Sequence, residues 1–236
     1  MDLLAPLREA PEETALLFDV DGTLAPIAPL PELARVPAET RAELARLAGS
    51  YLLVACISGR SGEDAAALVG VDGIRYVGNH GLELDDEAAG FAARIAAFKD
   101  SVELPVEDKG LSLSYHYRSV QDQEEARAEL ERVAERARAE GLDARWGRKV
   151  LEIRPPVEAD KGTAVRALLR SAPVRRGLYA GDDTTDLDAF EGLAQARLEH
   201  AVRIAVASEE APAALMEAAD LTVSGPDELR QLLSSL

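Results

Sequence analysis

Two kinds of residue pattern divide the sequence, and their order restricts the fold strongly. Near the start, the apolar segment Ala15–Val20 precedes a helix-like segment and then a second apolar segment, Tyr51–Ser58. Short apolar runs without alternation are typical of parallel strands that are buried on both faces. Strands that alternate with helices predict an α/β domain with a parallel sheet, and the same order resumes from Asp160.

The middle of the chain has a different pattern. Residues 111–118, LSLSYHYR, alternate apolar and polar side chains, so that Leu111, Leu113, Tyr115 and Tyr117 share one face. This alternation indicates a half-exposed strand of an antiparallel sheet with one face on a core. We therefore predict an α+β domain over residues 85–156, inserted into an α/β core formed by residues 1–84 and 157–236.

Composition restricts the partners. The chain has 26 Lys and Arg against 43 Asp and Glu, a net charge of −17, which disfavours nucleic acids and anionic membranes as partners. One cysteine and three histidines argue against a disulfide framework and a metal site built from those side chains. No segment approaches the roughly 20 apolar residues of a membrane helix, and the first residues lack a signal-peptide pattern. We expect a cytoplasmic monomer with a small-molecule substrate.

Polar residues cluster where the predicted core strands end or the next helix begins. Asp19 and Asp21 lie where the first apolar run ends, Ser58 ends the second, Lys161 begins a later helix and Asp182 follows the strand GLYAG. Each residue alone also fits an ordinary turn, helix cap or solvated position. Ligands of open parallel sheets bind beyond the carboxyl ends of the strands, so the shared placement favours one site.

The spacing of the first two aspartates indicates a cation. Asp19 and Asp21 lie two residues apart, so their side chains leave an extended backbone on the same face. Two adjacent carboxylates repel, and one keeps its proton unless a cation intervenes. Oxygen ligands without histidine or cysteine suit Mg²⁺, and Asp182 or Asp183 can supply the remaining acidic ligand. We therefore predict a Mg²⁺ site.

Four motifs occur here in a fixed order: DVDGT, a serine at the end of the second strand, a lysine and GDD. In this order they resemble the haloacid dehalogenase superfamily of phosphohydrolases. The resemblance implies a Rossmann-like (Rossmannoid) parallel-sheet core with an inserted α+β cap of the second (C2) type. It also implies Mg²⁺ held by the carboxylates of Asp19 and Asp182 and the backbone carbonyl of Asp21, with Asp183 and Asp186 close by.

The same resemblance implies catalytic roles. Asp19 would be the nucleophile that forms an aspartyl-phosphate, and Asp21 would act first as the general acid and then as the general base. Ser58 and Lys161 would hold the phosphate oxygens. One departure from the family pattern is Leu187, which stands where the superfamily motif usually has Glu; we expect a minor effect on the metal surroundings.

Further stretches, including SGR (58–60), GNHGLE (78–83), VEDKGLSLSYHYR (106–118) and KVLEIRP (149–155), resemble the trehalose-6-phosphate phosphatase family within that superfamily. This resemblance implies a phosphosugar substrate, trehalose 6-phosphate. It also implies two sets of substrate-binding residues, one in the inserted domain and one at its junction with the core: Glu107, Lys109 and Glu152, and Arg60, Asn79 and His80.

The inserted domain leaves two questions open. Lys109 shares the parity of the apolar face, so either Gly110 carries a bulge that reverses the register or Lys109 precedes the strand. His116 and Arg118 fit either a solvated strand face or a direct substrate contact.

Two other functions stay open. One is a related phosphatase that acts on sucrose or mannosyl-glycerate phosphates, because the core motifs do not distinguish between sugars. The other is a receiver-like signalling domain that accepts phosphate on Asp without rapid hydrolysis, although Asp21 and the insertion argue against it.

Overall fold

The computed structural model of the protein describes residues 2–28, 30–147, 149–208 and 211–236. The chain forms two compact units. The first comprises the chain up to Leu84 together with Ala159–Leu236, and the second is Asp85–Glu158. The predicted insertion, residues 85–156, lies within the second unit.

A six-stranded sheet forms the centre of the first unit in the described part of the chain, and its paired strands are parallel. Numbered along the whole chain, its strands are β1 (Thr14–Phe18), β2 (Leu53–Ile57), β3 (Arg75–Val77), β8 (Arg176–Gly181), β9 (His200–Val206) and β10 (Leu221–Val223). Their order across the sheet is β10-β9-β8-β1-β2-β3. From β1 the chain therefore adds strands first on one side and, after the second unit, on the other.

Helices cover both faces of this sheet. They are α1 (Ala5–Glu9), α2 (Ala38–Ala48), α3 (Gly62–Val69), α7 (Lys161–Arg170), α8 (Thr185–Gln195), α9 (Ala213–Ala218) and α10 (Pro226–Leu233). In β1, Leu16 and Phe18 belong to the core cluster that contains residues of α2 and α10. Leu17 belongs to the opposite cluster, with residues of α7 and α8. Because both faces of β1 are buried, its sequence is continuously apolar from Ala15 to Phe18.

The second unit contains a four-stranded antiparallel sheet with the order β4-β5-β7-β6. Its strands and helices are β4 (Glu107–Asp108), β5 (Leu113–His116), β6 (Asp143–Gly147), β7 (Val150–Arg154), α4 (Asp86–Ala89), α5 (Ala92–Asp100) and α6 (Gln123–Ala139). Side chains of α5 and α6, such as Phe98 and Val133, share one core cluster with Leu113 and Tyr115 of β5. The helices therefore pack on the apolar face that the alternation predicts.

The polar face of β5 differs in part from the expectation. Ser112 and Ser114 are buried rather than half-exposed, and the Ser112 hydroxyl donates to Oε1 of Glu152 at 3.2 Å. Lys109 lies in the turn between β4 and β5, where its N–H donates to the carbonyl of Ser112 (2.9 Å). Lys109 therefore precedes the strand, so strand parity does not fix its direction.

Among the described residues, no helix is both long and apolar enough to cross a membrane.

The loops that follow β2 and β3 are held together by one carboxylate. Glu83 accepts the N–H groups of Gly62 (2.8 Å) and Gly78 (2.9 Å) and the side-chain amide of Asn79 (3.2 Å). Gly78 lies against the neighbouring loop, because a Cβ atom there would stand 2.1 Å from the backbone nitrogen of Gly62. The approach of these loops requires glycine at position 78.

We expect Gly78→Ala to lower the free energy of unfolding by about 3 kcal/mol, because the new methyl group must displace backbone. Gly49→Ala is the matched control. A Cβ atom there would meet no atom closer than 3.6 Å, and the φ of −80° suits any residue, so its stability should be unchanged or slightly higher. Urea unfolding of both variants measures the difference, and equal midpoints would contradict the tight approach.

Candidate active site

Asp19 lies at the carboxyl end of the central strand. Its N–H donates to the carbonyl of Ala180 (2.9 Å), which extends the pairing of β1 with β8 by one residue. Asp182 follows β8 directly, and both aspartates are at least nine-tenths buried. Because the order of strands reverses at β1, this edge is the position where open α/β sheets bind ligands.

Lys161 connects two of the acidic side chains. It is the first residue of α7 and is 2% exposed. Its Nζ donates to Oδ1 of Asp19 (2.6 Å) and Oδ1 of Asp186 (2.7 Å). Burial opposes the charge of the ammonium group, but the two carboxylates outweigh it and raise the pKa of Lys161 above its ordinary value. The start of α7 is fixed by Asp160, which forms a capping box with Thr163.

Asp186 accepts four hydrogen bonds. Oδ1 accepts from Lys161 (2.7 Å) and from the hydroxyl of Tyr179 (2.6 Å), and Oδ2 accepts from the N–H groups of Asp182 and Asp183 (both 2.9 Å). Burial, followed by the charge of Asp186, raises the pKa of Tyr179 well above its ordinary value. Asp186 therefore fixes the lysine and the loop after β8, and both of its oxygens are already engaged.

Three carboxylates in the first unit lie close enough to share a cation. Ligand atoms of Asp19, Asp182 and Asp186 all lie within 4.8 Å of one another. Burial, followed by the charges of Asp186 and Asp182, raises the pKa of Asp19 well above its usual range, against the influence of Lys161. Burial and Asp186 raise the pKa of Asp182 to about 6, although Thr23 donates a hydrogen bond to it (3.0 Å).

This cluster suits a divalent cation. The three carboxyl groups lie close to one another, and the ammonium group of Lys161 pairs with two of them, Asp19 and Asp186, so their like charges are only partly offset. Since the oxygens of Asp186 are engaged, Asp19 and Asp182 are the members of the cluster suited to bind the ion. Carboxylate oxygens without histidine or cysteine favour Mg²⁺ over softer metals.

Gly22 leaves the space that the Asp182 carboxylate occupies. A Cβ atom on Gly22 would lie 2.1 Å from Oδ2 of Asp182, and the φ of Gly22 is +86°. Its N–H donates to the carbonyl of Ala25 (2.8 Å), which closes the turn after Asp21. Glycine is therefore required in the DVDGT motif for both conformation and space.

Asp21 bonds to a different cation from the buried cluster. Its carboxylate accepts two hydrogen bonds from Arg60, from Nε to Oδ2 and from Nη2 to Oδ1, both 2.7 Å long. Nη2 also donates to the carbonyl of Pro31 (3.1 Å). The family resemblance implies that Arg60 binds substrate, and its pair with Asp21 was not predicted.

The other predicted residues of the first unit lie in the two loops after β2 and β3. Ser58 is buried, and its hydroxyl accepts the N–H of Arg60 (3.2 Å). The N–H of His80 donates to the carbonyl of Ser58 (2.9 Å), and the N–H of Asn79 donates to that of Arg60 (2.7 Å). Asn79 and His80 both have φ near +52°, a left-handed conformation that these interloop bonds support.

In the second unit, the predicted residues form two polar groups. A hydrogen bond of 2.8 Å joins Oε2 of Glu107 and Nε2 of His116. Nζ of Lys109 lies 3.8 Å from the same carboxylate oxygen. Glu152 lies on β7 and is bonded to Ser112. His116 is 52% exposed at its side chain, so the structure gives it a solvated position beside Glu107.

Thr23, Glu83 and Tyr179 were not predicted as site residues. Thr23 stands in the DVDGT motif, and Glu83 ends the GNHGLE motif, so both carried a local signal. Tyr179 carried none, because a tyrosine inside an apolar strand is normally a core residue. Leu187, where the family pattern usually has Glu, lies on α8 and packs against the core cluster that contains Leu17.

Comparisons with known proteins agree with this architecture. The family model described as trehalose-phosphatase matches residues 17–94 and 103–223. The trehalose-phosphate phosphatase of Mycobacterium marinum is 35% identical over 205 residues, which cover 76% of this chain and 51% of that protein. The chain thus spans about half the length of the curated relatives that head this comparison.

Two solved structures illustrate the shared fold. A trehalose-6-phosphate phosphatase related protein superposes with a TM-score of 0.74 at 24% identity, covering 94% of this chain and 96% of that one. A haloacid dehalogenase-like hydrolase from Bacteroides thetaiotaomicron superposes with a TM-score of 0.61 at 15% identity, covering 94% and 98%. The predicted fold class is confirmed, and the family match over most of the sequence shows that the chain belongs to the trehalose-phosphatase family.

Proposed function

We propose that this protein is a Mg²⁺-dependent phosphatase that hydrolyses trehalose 6-phosphate to trehalose and phosphate. The observation that carries the proposal is the buried Lys161, which bridges Asp19 and Asp186 beside Asp182 in a chain of the trehalose-phosphatase family. The relatives are named trehalose-phosphate phosphatase, which supports trehalose 6-phosphate as the substrate. The net charge of −17 also favours a small substrate over nucleic acid.

In the first step, a carboxylate oxygen of Asp19 attacks phosphorus. The new bond joins Asp19 to phosphorus, and the bond between phosphorus and the sugar oxygen breaks. Asp21 gives its proton to that sugar oxygen, so trehalose leaves as a neutral alcohol. The ammonium group of Lys161, 2.6 Å from Asp19, offsets negative charge as the phosphoryl group arrives.

In the second step, the aspartyl-phosphate is hydrolysed. Asp21, now ionised, takes a proton from water, whose oxygen attacks phosphorus while the bond to Asp19 breaks. Inorganic phosphate leaves, Asp19 is restored as a carboxylate, and Asp21 regains the proton that it gave up. One pair of carboxylates therefore completes the cycle without any net change.

The carboxylates of Asp19 and Asp182 and the backbone carbonyl of Asp21 would hold Mg²⁺, with Asp183 and Asp186 in support. When bound, the ion would neutralise charge on the transferring phosphoryl group. Asp186 would contribute by fixing Lys161 and the backbone after β8, as its four hydrogen bonds indicate.

The remaining predicted residues would bind substrate. Ser58, like Lys161, would contact phosphate oxygens. Discrimination between sugars requires polar groups that are left without a partner when the wrong hydroxyl is present. Carboxylates and an ammonium group on the second unit suit that role, and we assign it to Glu107, Lys109 and Glu152. Asn79 and His80 would add contacts from the loop after β3.

We expect Asp19→Asn to abolish phosphate release, by at least about 10³-fold, because an amide is a poor nucleophile. The measurement is phosphate release from trehalose 6-phosphate, sucrose 6-phosphate and mannosyl-glycerate phosphate, with Mg²⁺ and with EDTA. Asp72→Asn, at an exposed loop position, is the control and should act like the wild type. Preference for another phosphosugar would replace the proposed substrate, and a long-lived phosphoprotein without turnover would indicate a signalling domain.

We expect Glu152→Gln to raise the KM for trehalose 6-phosphate about 10- to 100-fold, because a charged acceptor of sugar hydroxyls is lost. Hydrolysis of p-nitrophenyl phosphate, which has no sugar, should be unchanged. Glu131→Gln on α6 is the matched control, since that side chain is 46% exposed and pairs with Arg127. Equal losses on both substrates would argue against a sugar contact.

We expect Asp182→Asn to stabilise the protein in EDTA by about 1–3 kcal/mol, because a carboxyl with a pKa near 6 is ionised at a cost at neutral pH. For such a carboxyl the cost develops as the pH rises from about 4 to 6 and is fully present above that range. Mg²⁺ should raise the Tm of the wild type and have little effect on the variant. Thermal unfolding with EDTA and with Mg²⁺ measures both, and lower stability of the variant in EDTA would contradict the like-charge cluster.

A further inference from the structure

We propose that Arg60 is a positioning residue that acts through Asp21, holding the carboxylate in the orientation that proton transfer requires. This inference rests on the proposed function, because it assigns a partner to the general acid. The family resemblance predicts instead that Arg60 is a substrate ligand.

The geometry of the pair is that of a two-point clamp. Nε and Nη2 of Arg60 each donate to a different oxygen of Asp21 at 2.7 Å. Two parallel bonds between a planar guanidinium group and a carboxylate fix the plane of the carboxylate as well as its distance. A single ammonium group could fix only the distance.

Arg60 is itself held at both ends. Its backbone N–H donates to Oγ of Ser58 (3.2 Å), and its carbonyl accepts the N–H of Asn79 (2.7 Å). At the other end, Nη2 donates to the carbonyl of Pro31 (3.1 Å), and the side chain is only 16% exposed. A cation fixed in this way is suited to orient a neighbour.

Asp21 needs such an external support more than Asp19 does. The side chain of Asp21 is 41% exposed, whereas that of Asp19 is 7% exposed and bonded to Lys161. The terminal torsion of an aspartate is broad, so an exposed carboxylate without a clamp samples many orientations. A displacement of 1 Å in a catalytic group can reduce a rate about 10²-fold.

Two cations, Lys161 and Arg60, thus divide between the two catalytic acids. Lys161 bonds to Asp19 and Asp186, and Arg60 bonds to Asp21. Loss of Lys161 would affect the nucleophile and every substrate. Loss of Arg60 would affect only those steps in which Asp21 transfers a proton.

This difference gives the inference a distinctive kinetic signature. The sugar oxygen of an alkyl phosphate needs a proton as it leaves, whereas p-nitrophenolate leaves without one. Phosphorylation of Asp19 by p-nitrophenyl phosphate should therefore survive loss of Arg60. Hydrolysis of the aspartyl-phosphate needs Asp21 as a base, so it should slow for both kinds of substrate.

The experiment compares Arg60→Met and Arg60→Lys with the wild type by rapid mixing at saturating Mg²⁺. With p-nitrophenyl phosphate, we expect a burst of one nitrophenolate per enzyme at no less than the wild-type turnover rate, followed by a steady state slowed about 10- to 100-fold. With trehalose 6-phosphate, we expect kcat to fall about 100-fold with KM changed less than about threefold and no burst of trehalose. Arg75→Met, at an arginine that bonds to Ser171, is the control and should match the wild type.

A double-mutant cycle separates action through Asp21 from an independent role. If Arg60 acts through Asp21, Arg60→Met should lower kcat little further in a chain that already carries Asp21→Asn. If Arg60→Met lowered kcat by the same factor in the Asp21→Asn chain as in the wild type, that result would overturn the inference. So would a large rise in KM at unchanged kcat, which indicates a substrate ligand, or the loss of the nitrophenolate burst.

Two safeguards keep the outcomes distinct. If Arg60→Met does not fold, Arg60→Lys retains the charge without the two-point clamp, and the burst and the cycle are measured with it. If the wild type hydrolyses no trehalose 6-phosphate, the proposed function fails. The nitrophenolate burst and the cycle then still decide whether Arg60 acts through Asp21, with the phosphosugar that the panel identifies as the alkyl substrate.

Discussion

The rest of the site depends on the network of hydrogen bonds and ion pairs around Lys161. A buried ammonium group is costly unless charged partners compensate it, and Lys161 has two, Asp19 and Asp186. Asp186 in turn holds the backbone N–H groups of Asp182 and Asp183. One cation therefore ties the end of β1, the start of α7 and the loop after β8 into a single arrangement.

The strand order explains why these segments meet. β1 lies between β8 and β2, so the connections that leave its two neighbours diverge at its carboxyl end. The side chains that meet at this end of β1 come from both parts of the first unit: Asp19 from the first part, and Lys161, Asp182 and Asp186 from the second. An α/β core that is interrupted in sequence can thus be continuous as a site, because β1 and β8 are adjacent in the sheet.

Features that follow from neighbouring residues in the sequence were predictable. Side-chain contacts between residues far apart in the sequence were not. The apolar run of β1 and the apolar face of β5 follow from local rules, and the binding of ligands beyond strand ends in a parallel sheet predicts that Asp19, Lys161 and Asp182 share a site. The bond between Arg60 and Asp21 spans 39 positions in the sequence. Its formation depends on how the loops after β1 and β2 approach each other, which no local pattern encodes.

The two units differ in the kind of charged group that each supplies. The first unit supplies buried, mutually bonded charges whose positions are fixed by a sheet, which suits chemistry on a phosphoryl group. The second unit supplies more exposed charges, such as Glu107 beside His116. Charges of this kind are suited to bind hydroxyl groups. Under the proposed function, substitutions in the second unit should alter the choice of sugar more readily than the reaction, because the charges bonded around Lys161 all belong to the first unit. Substitutions around Lys161 should do the reverse, because each one leaves another buried charge without its partner.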